Sequence, residues 1–327
     1  MSNVNIAIEK GHPRFQFTSS QGIQSSDEAQ QLAVDMHRLV AGVLNEIGGE
    51  KADELRVWSA KKAVGHTAEV VKVAKDLVDS DTFATWFKER GIDQSEIMET
   101  MLINAWTHDL GRQSQINFDN LISVSDKVID HSTESFNILQ DAGVVDAGLL
   151  LPVKYHGMFA YDKAIMEDPL FQSLSDENKE YIIRMTDGLR DADKAANLMS
   201  KAKHGMKGVG EMTNPKYKAD YDITPETLQG LVDGTGCDQG WESHRLDAML
   251  RWLSWGDQFV NKSPSITKLI NDLWDRTFEH AQTEFDNCNE QDIERFENTI
   301  SSLRAAREAQ MERLRLTDEQ ELLHTKS

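Results

Sequence analysis

Residues 93–111 read DQSEIMETMLINAWTHDLG, and this stretch decides the fold class. Apolar side chains run up to the adjacent pair His108-Asp109, and Gly111 stops the run, as a glycine commonly ends a helix. Working outward, helical spacing recurs on both sides. SSDEAQ at 25–30 is a helix start, with Ser26 expected as the cap and acids in the first turn. Leu32, Met36, Leu39, Val40, Val43, Leu44 and Ile47 then repeat every three to four residues, and Gly48-Gly49 ends that helix. A second helix is expected over about 51–79. A short one follows from Ser80-Asp81 through Trp86 and Phe87, closed by Gly91. Further helices are predicted near 131–141, 146–156, 176–200, 224–233, 243–260, 265–286 and 290–318. No stretch shows strong strand-like alternation, and residues 1–25 read as an irregular arm. The pattern predicts an all-α protein.

Six side chains suited to metal binding occur in order along these helices: His66, the doublet His108-Asp109, His131, His156 and Asp193. Histidine offers an imidazole nitrogen and aspartate a hard oxygen, a mixture suited to Mn, Fe, Ni or Co. Six ligands exceed the needs of one ion that also binds water and substrate, and suffice for two ions sharing a carboxylate. Asp109 has two oxygens and is the expected bridge. Adjacent helical residues diverge by about 100°, so the doublet can converge on one centre only near a helix end.

The order and local setting of these segments resemble the HD-domain superfamily of metal-dependent phosphohydrolases. GHTAEVV carries His66, AWTHDLGR carries His108 and Asp109, and DHSTESFNIL and VKYHG match the extra histidine segments of two-metal members through His131 and His156. LRDADKAANL matches the closing segment, where the family's ligand precedes a basic residue, so that role carries to Asp193 and not to Asp191. LDAMLRWLSWGDQFVNKSPS resembles the tail of a bacterial branch, so the resemblance covers roughly residues 50–285. It implies an HD-type helical core over 26–262, an insertion at about 202–240 and a C-terminal helical extension over 263–327. It further implies two divalent transition-metal ions and hydrolysis of a small phosphate ester or anhydride, expected to be a nucleotide. Lys194 and Arg112 take the positions of phosphate-binding residues. An HD-fold diiron oxygenase cleaving a C–H or C–P bond would need the same ligands, and a silent regulatory HD protein is a third possibility.

Other polar residues have bland and functional readings. Arg112 either binds phosphate or pairs with an acid such as Asp126. Lys194 can equally be a solvated lysine. Asp191 is either an acceptor for a ligand histidine or a helix-start acid. Glu69 and Glu134 follow ligand histidines by three residues and are acid/base candidates, although exposed acids are commoner. Arg190 and Lys154 are weaker phosphate candidates. His12, His37, His204, His244, His280 and His324 are read as structural or exposed. Trp106, Trp252, Trp255 and Phe259 are read as core. The Gly-, Lys- and Asp-rich 202–240 stretch is a candidate lid.

The 327 residues carry a formal charge of −20. That opposes a principal role in gripping long nucleic acid, whose phosphates would be repelled, but bound cations can reverse the field locally for a small anion. Cys237 and Cys288 have no CxxC spacing and are read as free thiols. No apolar run approaches the roughly 18 residues of a membrane span, and the N-terminus lacks a signal pattern. The expectation is a cytoplasmic protein without a membrane partner, with oligomerisation possible.

Overall fold

The computed structural model describes residues 4–18, 22–158, 161–204, 222–237, 240, 243–261, 263–285 and 293–324. Helices dominate, accompanied by two small antiparallel sheets of two strands each. The chain divides into two compact units, residues 1–196 and 197–327. The division falls at 196/197, within the 26–262 span expected of one core.

The described residues of the expected irregular arm include two regular strands. β1 (Val4–Glu9) pairs with β2 (His12–Phe17) in a hairpin. Lys10 and Gly11 turn it with φ of 51° and 81°, the paired positive values of a tight two-residue turn. Pro13 and Phe15 are buried while Arg14 and Gln16 are exposed. The alternation is present in HPRFQF, but six residues are too short to stand out among helical patterns.

α1 (Ser26–Ile47) buries Leu32, Met36, Val40 and Leu44. Its cap is Ser25 rather than Ser26: the Ser25 side chain accepts from the Glu28 backbone, while Ser26 is bound to Glu99 instead. The expected 51–79 helix is interrupted. α2 (Glu50–Ala60) widens into a π-helical turn over Lys61–His66 before α3 (Thr67–Val78). Such a turn shifts the register of the next helix, and it ends at His66. α4 (Asp81–Glu89) and α5 (Gln94–Thr107) complete the first half of the unit. Phe83, Phe87, Ile97, Met101 and Val70 lie together in its core.

After α5 the chain makes a 3-10 turn over Leu110–Gln115 and a small ladder of β3 (Ile116–Asn117) with β4 (Ile122–Ser123). α6 (His131–Asp141), α7 (Ala147–Tyr155), α8 (Tyr161–Met166), α9 (Pro169–Gln172) and α10 (Asp176–His204) come next. Asp168 ties this region together: its carboxylate caps α9, accepts from Tyr155 Oη at 2.8 Å and pairs with Lys154 Nζ at 2.6 Å.

The second unit contains α11 (Pro225–Asp233), α12 (Arg245–Ser254), α13 (Pro264–Phe285) and α14 (Ile293–His324). Pro225 occupies the first turn of α11, where its missing N–H costs nothing. Buried Asp247 accepts from the backbone of Thr224, Ser243 and His244. Buried Gln310 accepts from Trp274 and donates to the Leu253 carbonyl and Asp257. Phe259 is buried as expected, but Trp252 and Trp255 are only half-buried and face each other with ring centroids 4.7 Å apart. Residues 205–221 and 238–239 of the candidate lid lie outside the described residues, as does Cys288. The Cys237 sulfur lies 3.2 Å from the Thr227 carbonyl oxygen, to which it donates. Among the described residues no helix is long and apolar enough to cross a membrane.

Candidate metal centre

All six expected ligands lie together in the first unit, brought from five separate places in the chain. The doublet converges because α5 stops at Thr107. His108 keeps helical angles, but Asp109 leaves them at φ −106° and ψ 13°. The turn is then fastened to α6. Ser135 Oγ donates to the His108 carbonyl at 2.7 Å and accepts from the Gly111 N–H at 2.8 Å. Only glycine fits at 111, since a Cβ there would stand 2.2 Å from the His131 carbonyl oxygen. His131 opens α6 behind the Asp130 cap, His156 closes α7, and Asp193 lies within α10.

Asp109 faces two sets of nitrogens with its two oxygens. Oδ2 lies 3.7 Å from His108 Nε2 and 3.9 Å from His66 Nε2. Asp193 Oδ1 joins that side, 2.8 Å from His66 Nε2 and 3.8 Å from His108 Nε2. Oδ1 of Asp109 lies 3.3 Å from His131 Nε2 and 3.9 Å from His156 Nε2. Such donor–donor spacings suit a shared coordination sphere with bonds of about 2.1 Å. The groups His66–His108–Asp109, with His66 partly buried, and Asp109–His131–His156, buried throughout, could each hold a metal ion.

The imidazole tautomers fit a cation. His108 Nδ1 donates to the Ala105 carbonyl, His156 Nδ1 to the Val153 carbonyl, and His131 Nδ1 to Asp126 at 2.6 Å. Each bond leaves the corresponding Nε2 as a lone pair aimed inward. His108 Nε2 is buried and has no hydrogen-bond partner among the described residues. His131 Nε2 and His156 Nε2 stand 3.2 Å apart, where two lone pairs repel unless a positive centre lies beside them.

The charges agree with the tautomers. Burial, reinforced by His108 and His131, pushes His156 down to about 3, and burial likewise lowers His108. Both are therefore neutral imidazoles near neutral pH. Burial opposes ionisation of Asp109, but the positive charge beside it, that of Arg112 included, outweighs it and holds the carboxyl well below its ordinary value. For His66, burial is outweighed by Asp193 and the pKa is raised.

Some neighbours follow their sequence readings and others depart from them. Arg112 does pair with Asp126, at 3.0 Å, and also reaches Asp109, Gln115 and His131. Asp126, expected only as an ion-pair partner, turns out to orient His131. The sequence carries no signal for that role, because a five-residue separation across a loop has no fixed geometry. Lys194 follows Asp193 on α10, and burial with Arg190 nearby lowers its pKa to about 8. Asp191 is buried. Lys154 is committed to Asp168, and Arg190 donates to the Tyr155, His156 and Met158 carbonyls at the end of α7. Neither is placed as a phosphate ligand. Glu69 is exposed, and Glu134 binds Arg14 and Ser114, so it serves the hairpin. His12 bonds the Ser114 carbonyl and Asn117, and His37 bonds Ser59, as structural histidines do.

No family model, curated protein or solved structure matches this chain.

Proposed function

We propose that this protein is a metal-dependent phosphohydrolase acting on a small phosphate ester or anhydride, with a nucleotide as the expected substrate. The observation that carries the reading is Asp109, whose two oxygens face two separate histidine sets. His66, His108, Asp109 and Asp193 would hold one divalent ion, and Asp109, His131 and His156 a second. Ions held there supply charge neutralisation and a water whose pKa is lowered towards 7. The resemblance of the five segments to the HD-domain superfamily supports this chemistry and assigns Lys194 and Arg112 to the phosphate.

The protein's own groups have distinct tasks. The Ala105 and Val153 carbonyls fix His108 and His156 in the ligating tautomer, and Asp126 does the same for His131. Arg112 presents a planar fork suited to two phosphate oxygens. Lys194 supplies a compact positive charge beside Asp193.

The test is an anaerobic screen of nucleotides and phosphoesters with Mn(II), Fe(II), Co(II) or Ni(II), read by phosphate release and product mass. Phosphate release without dioxygen is expected. Turnover that requires dioxygen and releases no phosphate would replace this reading with the diiron oxygenase.

A further inference from the structure

The Arg112 guanidinium sits where the second half of the centre needs positive charge. Its Nε is 3.3 Å from Asp109 Oδ1, and one terminal nitrogen is 3.1 Å from His131 Nε2. Those two acceptors are themselves 3.3 Å apart. One edge of the guanidinium thus spans a pair of atoms assigned to the second ion. The other terminal nitrogen is held by Gln115 Oε1 at 3.2 Å and by both Asp126 oxygens at 3.0 and 3.2 Å. Because Asp126 accepts the hydrogen bond from His131 Nδ1–H, His131 Nε2 can accept from Arg112 or bind a metal ion, but its single lone pair cannot do both.

We propose that Arg112 is an internal cation competing with the second metal ion for Asp109 and His131, so that the two halves of the centre fill in order. The inference rests on the two-ion reading of the site and concerns how that site is loaded. The hydrogen bonds of this fork fall on Asp109 Oδ1 and His131, so His66, His108, Asp193 and Asp109 Oδ2 take the first ion. Loading the second ion displaces the fork, while the Asp126 end of the side chain, on the exposed side of the site, remains available to it. A phosphorylated ligand that engages the displaced guanidinium strengthens binding of the second ion, and the ion strengthens binding of the ligand by the same factor.

Two measurements on the full chain test this. In the first, Mn(II) binding is followed by the EPR signal of the free ion, for the wild type and for Arg112→Gln. The wild type should show one tight and one weaker equivalent. In Arg112→Gln the weaker one should tighten by about ten-fold or more, since a charge-assisted competitor is gone, with the tight one unchanged. A second equivalent that is unchanged or weakened in the variant overturns the proposal. The second measurement needs no variant. Phenylglyoxal modification of Arg112, mapped by peptide mass, should rise as the wild type passes from one to two Mn(II) equivalents, and a constant or falling yield counts against displacement. If neither protein binds Mn(II), the metal reading fails together with this one. If both proteins bind two equivalents with the same affinities, only the competition fails.

Discussion

Removing the Asp109 carboxylate takes away the oxygen 3.7 Å from His108 Nε2 and the oxygen 3.3 Å from His131 Nε2 in one step. Asp109→Ala should therefore lose at least one metal equivalent and turnover, while far-UV circular dichroism keeps its helical signal because the core lies on other side chains. Near-normal turnover in this variant would end the bridging assignment. Asp193 and Lys194 are chain neighbours with different expected behaviour. Asp193→Ala should lose metal and activity together. Lys194→Ala should keep its metal and lose about 1.5–3 kcal/mol of phosphate interaction, a drop of roughly ten- to two-hundred-fold in kcat/KM. Unchanged kinetics on every hydrolysed substrate would return Lys194 to a solvent role, and loss of metal would make it a support of the site. At this scale the six ligand candidates were legible in the sequence, as was Arg112 with Asp126. Asp126 as the acceptor for His131, and the commitment of Lys154 to Asp168, were not, because each depends on where a loop or a neighbouring helix sets a side chain.

Elements hold the ligands through two close fittings. The 3-10 turn after α5 rests on α6 through Gly111, where an added Cβ would meet the His131 carbonyl oxygen at 2.2 Å and the Ser135 nitrogen at 2.8 Å, both of them backbone. Gly111→Ala must push the turn and α6 apart. It should lower the thermal midpoint and weaken metal binding together, as calorimetry and metal titration on one preparation would show. A variant with wild-type values for both would mean the turn has slack that the distances deny. The second fitting is Asp168, which holds Lys154, Tyr155 and the start of α9. Asp168→Ala strands a partly buried lysine and a buried phenol, and should cost about 2 kcal/mol in urea unfolding. A loss within about 0.5 kcal/mol would show that these groups find other partners. Burial works against the Asp168 charge, but the hydrogen bonds from Lys154, Tyr155 and Leu170 prevail and hold its pKa below the ordinary value. Its stabilisation is therefore present above about pH 4 and is lost as pH falls through the depressed value. Most helix spans could be read from three-to-four spacing and glycine stops. The π turn at Lys61–His66 and the N-terminal hairpin could not. The first leaves composition unchanged, and the second has an alternation only six residues long.

In the whole molecule, ligands from His66 to Asp193 are gathered in one compact unit, so a bound ion would tie together segments distant in sequence. Mn(II) should raise the thermal midpoint of chelator-stripped protein, because an ion that binds only the assembled site stabilises it by mass action. The shift should vanish in Asp109→Ala, and a wild type indifferent to Mn(II), Fe(II), Co(II) and Ni(II) would deny that the gathered residues form a metal site. The sequence alone determined the helical class, since apolar periodicity is local and each helix must bury the stripe it carries. It also supplied the six candidate ligands in order, because residue type and local setting are written in the chain. Only the tertiary structure decided that Asp109 divides its oxygens between two histidine sets, that the chain forms compact units over 1–196 and 197–327, and that Arg112 lies along the edge between Asp109 and His131. Those features depend on how far one helix end stands from another. That separation is set by close packing at places such as Gly111 and by tautomers fixed through backbone carbonyls, and neither leaves a periodic trace in the sequence.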